Sequence, residues 1–210
     1  QAELQARATS TREEITLDEI YNELQKICNI QEQTKQFIKQ SEIELEIKTS
    51  IPREIGKRFW ADAKNHDTPI CITTDMYLPR PVIDRIIDKH GYNDYSALFL
   101  SSELNKKKHI GTIFYDVLQH YSINSEDLIH VGDRYQTDVD PVRRIGSHSF
   151  HVPANNDELR SNKRYAQVFP GRRSLESLDR SILVKAIARD GFDDPKSVDG
   201  HTLAQGDPYQ

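Results

Sequence analysis

Cysteine is nearly absent from this chain of 210 residues: Cys28 and Cys71, 43 positions apart, are the only two. That spacing builds neither a disulfide framework nor a zinc ligand set, so a reducing, cytoplasmic setting is expected. The eight histidines contain no HExxH-type pair. His148 and His151 read as a coincidence at a strand end, not as metal ligands. Long apolar runs are missing too. Nothing approaches the roughly 20 residues that span a bilayer, and no signal peptide is visible, so direct membrane insertion is not expected. Positive charge is in deficit, with a formal net charge of -5. Binding to a phosphate backbone needs clustered Lys and Arg, whereas "NKKKH" and "PGRRS" are short and isolated. No nucleic-acid partner is expected. A glycine-rich phosphate loop opens none of the predicted helices, which weakens a generic nucleotide-binding reading of "HVGDR".

What remains is a well-solvated globular composition, 36% hydrophobic and 29% charged, in a chain long enough to bury a core. The chain opens "QAELQARATS" without Met and closes "GHTLAQGDPYQ" without a terminating element. It reads as a piece of a longer protein.

Residues 1–66 read as helical. In "ITLDEIYNELQKIC", Thr16 is an N-cap with Glu19 three positions on, a capping box, and Ile15 and Ile20 fit the hydrophobic staple. Ile20, Leu24, Ile27 and Cys28 fall on one helical face. "EQTKQFIKQSEIELEIKTS" alternates at Ile43, Leu45 and Ile47 as a strand would, but its Glu, Gln and Lys content favours helix. Pro52 starts another helix, with Ile55, Phe59 and Ala63 inward.

The texture changes over 67–153. "PICITT" is a continuous apolar, β-branched run, as expected for a parallel strand covered on both faces. Helix "PRPVIDRIIDKHG" follows, with Val82, Ile83, Ile86 and Ile87 as its stripe and Gly91 as the C′ stop. Strand "ALFLS", helix "HIGTIFYDVLQHY", strand "DLIHV", a helix through "TDVDPVRRIG" and strand "SFHV" complete the alternation. This predicts an α/β fold, a Rossmann-like parallel sheet of βαβ units. Residues 154–210 read as a polar extension with one expected helix, "SLESLDRSILVKAIARD".

Function in open α/β sheets gathers at the carboxyl ends of the strands. Those ends supply Thr73, Thr74 and Asp75, then Ser101, Ser102 and the Lys106, Lys107, Lys108 run, then Gly132, Asp133 and Asp138. A hydroxyl with free backbone N–H groups grips phosphoryl oxygens, and an ammonium neutralises charge that builds during transfer. Asp133 suits Mg²⁺, which takes few carboxylates plus water and substrate phosphate. Asp138 lies in a first helical turn, where negative charge is favoured. Taken singly, each residue has an ordinary structural explanation as cap, solvated lysine or dipole partner. Their order at successive strand ends points to phosphate chemistry.

The segments "ICITTDMYLPRPVIDRIIDKHGY", "SSELNKKKHIGTIFYDVL" and "IHVGDRYQTDVDPVRRIG" resemble the second, third and fourth motifs of the haloacid dehalogenase (HAD) superfamily. They are most similar to the HAD-like domains that accompany glycosyltransferases in bacterial polysaccharide-biosynthesis proteins. The resemblance implies that Thr74, with Asp75 beside it, binds the phosphoryl group and that Lys108, three before Gly111, is the motif lysine. Lys106 and Lys107 leave that register open. Asp133 would bind Mg²⁺, Asp138 would orient the metal shell, and 1–66 would be a helical cap. A small phosphorylated substrate, such as a sugar phosphate, and a fused or associated glycosyltransferase are also implied.

The family's first motif, a strand ending Asp-x-Asp that supplies the nucleophile, is not found. "DVD" at 138–140 and "FDD" at 192–194 follow no buried strand. Two explanations stay open: the motif lies upstream, or the domain has lost catalysis and is an interaction module. Without a central first strand, inner strands would present unpaired edges, and the isolated chain is expected to be poorly soluble or molten.

Overall fold

A computed structural model of the chain describes residues 1–154. The helix expected within "SLESLDRSILVKAIARD" and the rest of the polar extension lie outside the described residues. Four helices come first: α1 Ala2–Thr9, α2 Leu17–Cys28, α3 Glu32–Thr49 and α4 Glu54–Asn65. Strands and helices then alternate as β1 Cys71–Thr74, α5 Arg80–Lys89, β2 Ala97–Leu100, the single turn α6 Ser101–Leu104 and α7 Thr112–Tyr121. After β3 Ile129–Gly132, a π-helical turn, Tyr135–Val139, runs into α8 Asp140–Arg144, and β4 His148–His151 follows. The fold is mixed α/β with short parallel strands, as expected.

Local chemistry explains the boundaries. Thr16 and Glu19 make both halves of the capping box of α2, the Glu19 N–H donating to Thr16 Oγ1 and the Thr16 N–H to Glu19 Oε2 at 2.7 Å. Gly91 follows α5 at φ 74°, a left-handed conformation that costs glycine little. The ambiguous "EIELEIK" stretch is helical, within α3. Its Glu, Gln and Lys residues are good helix formers, and only Lys35 and Ile43 of the helix are buried. One stripe is met only in part: Leu24 of α2 packs against the core, but the rest falls elsewhere than expected. On α2 the buried residues are Leu17 and Tyr21, while Cys28 is exposed and Ile27 is 44% exposed. The face is chosen by packing at the N-terminal half of the helix, against α5 and the segment after β1, and the last turn runs free of it.

The sheet differs from the single layer expected. β1 pairs in parallel with β2, Cys71 opposite Ala97, and β3 pairs in parallel with β4, Ile129 opposite His148. Among the described residues each is a two-stranded sheet, and no ladder joins the pairs. β3 alternates in burial instead of being covered on both faces, leaving Ile129 67% and Val131 39% exposed. A parallel strand is normally enclosed, and here one of its faces and one of its edges lack neighbours among the described residues.

Two buried clusters hold the layers. One joins Leu17, Tyr21 and Ile43 of the N-terminal helices to Leu78, Val82, Ile83, Ile87, Leu98 and Leu100. The helices expected to form a cap therefore share an interior with α5 and β2. The second cluster, Phe99, Ile113, Phe114, Val117 and Val142, packs α7 and α8 against the opposite side of β2. No helix of the described residues is long and apolar enough to cross a membrane.

Candidate functional site

Lys108 sits where the two strand pairs come together. Its backbone N–H donates to both carboxylate oxygens of Asp75, at 3.0 and 3.2 Å, immediately after β1. Its Nζ donates to Asp138 Oδ1 at 2.6 Å, in the π-helical turn after β3. The carboxyl ends of β1 and β3 are thus linked through one residue of the loop after β2. The neighbouring lysines do other things. Lys106 Nζ turns away to Asp116 on α7, and the Lys107 N–H donates to Glu13 Oε2 at 3.2 Å.

Asp138 is 2% exposed and fully engaged. Oδ1 accepts from Lys108 Nζ and from His130 Nε2 at 2.9 Å, and Oδ2 accepts from the Arg134 N–H at 3.0 Å and Thr137 Oγ1 at 3.2 Å. Burial pushes its carboxyl up, but the His130 hydrogen bond, the Lys108 charge and the Arg134 N–H outweigh this and hold it far below the usual carboxylate range. Gly132 makes this placement sterically possible. A Cβ there would lie 2.4 Å from Cβ and Cγ of Asp138. Asp75 is shifted the other way. Burial raises its carboxyl, the Lys108 N–H and charge oppose that, and the charges of Glu14 and Asp138 add to it.

Of the residues singled out in the sequence, the structure brings Asp75, Lys108 and Asp138 into direct contact. Thr74 ends β1 half-buried, and among the described residues its hydroxyl has no hydrogen-bond partner. Neighbouring Thr73 Oγ1 is buried without a partner. Asp133 follows β3 with an exposed side chain, its backbone carbonyl accepting from His151 Nε2 at 3.0 Å. A metal ion tests these acids differently. Asp133 offers an uncommitted carboxylate, which fits a magnesium ion that takes one or two carboxylates and fills its shell with water and phosphate. Asp138 has no oxygen to spare. Among the described residues no group of three or more His, Cys, Asp or Glu side chains is placed to hold a metal.

Some members of the site were not singled out in the sequence. His130 points inward from β3 and meets Phe114 edge-on at 4.9 Å between ring centres. Burial lowers its pKa, against the pull of Asp138. Glu13 Oε2 also accepts from Thr112 Oγ1 at 3.0 Å, tying the segment before α2 to the start of α7. Glu14, 3% exposed, is paired with Arg7 at 2.6 Å. The one available signal was the polar His130 in an otherwise apolar strand. Glu13 and Glu14 lie in a polar connector, "STREE", that carries no local mark of a site.

No protein-family model matches the chain, and no curated protein does. Among solved structures, an uncharacterized protein from Listeria monocytogenes serotype 4b is 23% identical, covers 47% of this chain and 59% of its own, and superposes with a TM-score of 0.42. A haloacid dehalogenase-like family hydrolase from Xanthomonas campestris is 18% identical, over 64% of this chain and 56% of its own, with a TM-score of 0.45. The chain thus spans less than two thirds of the length of either structure.

Proposed function

We propose that the chain is the greater part of a HAD-like phosphohydrolase that cleaves a small phosphate ester, of the sugar phosphate class, with Mg²⁺. The observation that carries this reading is Lys108, whose backbone and side chain hold Asp75 and Asp138 together at the ends of β1 and β3. An ammonium has three donors, and one of them is committed to Asp138. The remaining two, with the unpartnered Thr74 hydroxyl, are available to the equatorial oxygens of a phosphoryl group. The motif resemblance supports the same assignment.

The carboxylate nucleophile would come from a strand ending Asp-x-Asp, supplied upstream. Its oxygen attacks phosphorus, the P–O ester bond breaks, and the alcohol leaves with a proton from the second acid of that motif. Water then attacks phosphorus, releasing inorganic phosphate and regenerating the carboxylate. Mg²⁺ held by Asp133 would neutralise charge on the phosphoryl oxygens. Lys108 acts in the same sense, fixed in place by Asp138 before the substrate arrives. A reducing, cytoplasmic setting and a fused or associated glycosyltransferase fit this reading.

The test is a chain extended upstream through an Asp-x-Asp strand, assayed on a panel of phosphate esters with and without Mg²⁺. Magnesium-dependent release of phosphate is expected, with most of the rate and the metal dependence lost on Asp133→Asn. An Asp133→Asn chain as fast as its parent would overturn the metal assignment. An inactive extended chain would leave a non-catalytic interaction module as the better reading.

A further inference from the structure

We propose that His130 is the positioning residue of this site, fixing Lys108 through the carboxylate of Asp138. The inference rests in part on the phosphohydrolase reading, because it gives Lys108 a purpose. Its geometric half stands without it. His130 Nε2 and Lys108 Nζ reach the same oxygen, Asp138 Oδ1, at 2.9 and 2.6 Å. An ionised carboxylate only accepts, so Nε2 is the protonated nitrogen of the ring. The other oxygen is occupied by the Arg134 N–H and Thr137 Oγ1, both on the same short turn as Asp138. His130 is therefore the side-chain contact to Asp138 that comes from a strand, β3, and not from the turn that carries Asp138. The Phe114 edge, 4.9 Å away on α7, limits rotation of the imidazole.

The alternative is a histidine buried for packing alone, and the two roles predict opposite orders for two substitutions. His130→Phe keeps the ring volume against Phe114 and deletes the donor. His130→Gln gives up the ring and places an amide N–H where Nε2 stood. The readout is acylation of Lys108 by acetic anhydride at limiting reagent, in the upstream-extended chain without substrate or Mg²⁺, located by peptide mass spectrometry. It needs no turnover.

With His130 positioning the pair, Lys108 in the Gln variant stays as protected as in the parent. In the Phe variant it reacts on the order of tenfold faster, the factor one hydrogen bond to a charged group is worth. Parent-like protection in the Phe variant, or equal loss in both variants, overturns the proposal.

A second arm separates this from the function. In the upstream-extended chain, His130→Phe is expected to lower kcat by about 10–100-fold, as removal of a supporting contact does. KM should move less than twofold, and the Gln variant should recover most of the rate. If the labelling order holds and no phosphate ester is turned over, the positioning role stands and the phosphohydrolase reading falls.

Discussion

Lys108 Nζ and Asp138 Oδ1, 2.6 Å apart, bridge two pairs of strands that share no backbone hydrogen bond. The side chains are 14% and 3% exposed, so the ion pair is desolvated and its partners depend on each other. Removing one partner of such a pair strands the other charge in the interior, which costs far more than the pair contributes in net terms.

Lys108→Met is accordingly expected to destabilise the upstream-extended chain by about 3 kcal/mol, read from the midpoint of a denaturant melt at unchanged slope. Lys106→Met is expected to cost about 1 kcal/mol or less, because this pair is the more exposed of the two, Lys106 by 38% and Asp116 by 22%. Equal losses for the two substitutions would mean that Lys108 is not the lysine that organises the site.

Gly132→Ala tests the same architecture from the backbone. The new methyl would occupy space already filled by Asp138, at 2.4 Å from two of its carbons. Neither side can yield cheaply, because Asp138 is held by four hydrogen bonds and Gly132 belongs to β3. A loss of about 1–3 kcal/mol is expected, together with faster acylation of Lys108 as its partner is displaced. A melt unchanged from the parent would show that the turn after β3 is looser than described.

The elements that local chemistry decides were legible in the sequence. The Thr16–Glu19 box, the stop at Gly91 and the apolar runs of β1, β2 and β3 depend on neighbours a few residues away, and they form where expected. What depends on distant partners was not legible. The buried stripe of α2 is set by residues such as Leu78 and Val82, some 60 positions along the chain. The choice among Lys106, Lys107 and Lys108 is made by where Asp116, Glu13 and Asp138 arrive. His130 gave a faint signal, and Glu13 gave none. The division into two strand pairs reflects pairing across the sheet, which no stretch of sequence announces by itself.

Acid stability should show two opposed contributions. The folded-state pKa of Asp138 is depressed, so the unfolded chain binds its proton more readily. The resulting stability is complete above about pH 4, the ordinary value for Asp, and is lost as pH falls through the folded value. The folded-state pKa of Asp75 is raised, so its ionised form weighs against folding above that value, and lowering the pH through it returns stability. Melts recorded from pH 7 downwards should therefore show a shallower acid loss in Asp138→Asn and a steeper one in Asp75→Asn. The reverse pattern would contradict the site's electrostatics.

The two cysteines offer an inexpensive check on the core. Cys71 opens β1, and burial pushes its thiol up to about 11, leaving about one part in a thousand as thiolate at pH 8. Cys28 is exposed at the end of α2. A thiol-reactive dye at pH 8 should label Cys28 within minutes and Cys71 only on unfolding. Rapid labelling of both would mean that β1 is not held as described.

The most consequential expectation concerns the strand edges. Among the described residues β1 is paired only with β2 and β3 only with β4, while Ile129, Val131 and Phe150 are exposed on the second pair. Unpaired parallel edges beside exposed apolar residues invite association with another chain. The 210-residue chain is therefore expected to self-associate at micromolar concentration in light scattering and to melt broadly. Adding an apolar strand ending Asp-x-Asp upstream should give a monomer with a sharp transition at higher temperature, since the new strand would pair where β1 and β3 have no partner among the described residues. Its acids would then join Asp75, Asp133 and Lys108 at the same carboxyl ends. A monomeric 210-residue chain with a cooperative, high-temperature melt would mean that these edges need no further strand, and the case for a supplied nucleophile would go with them.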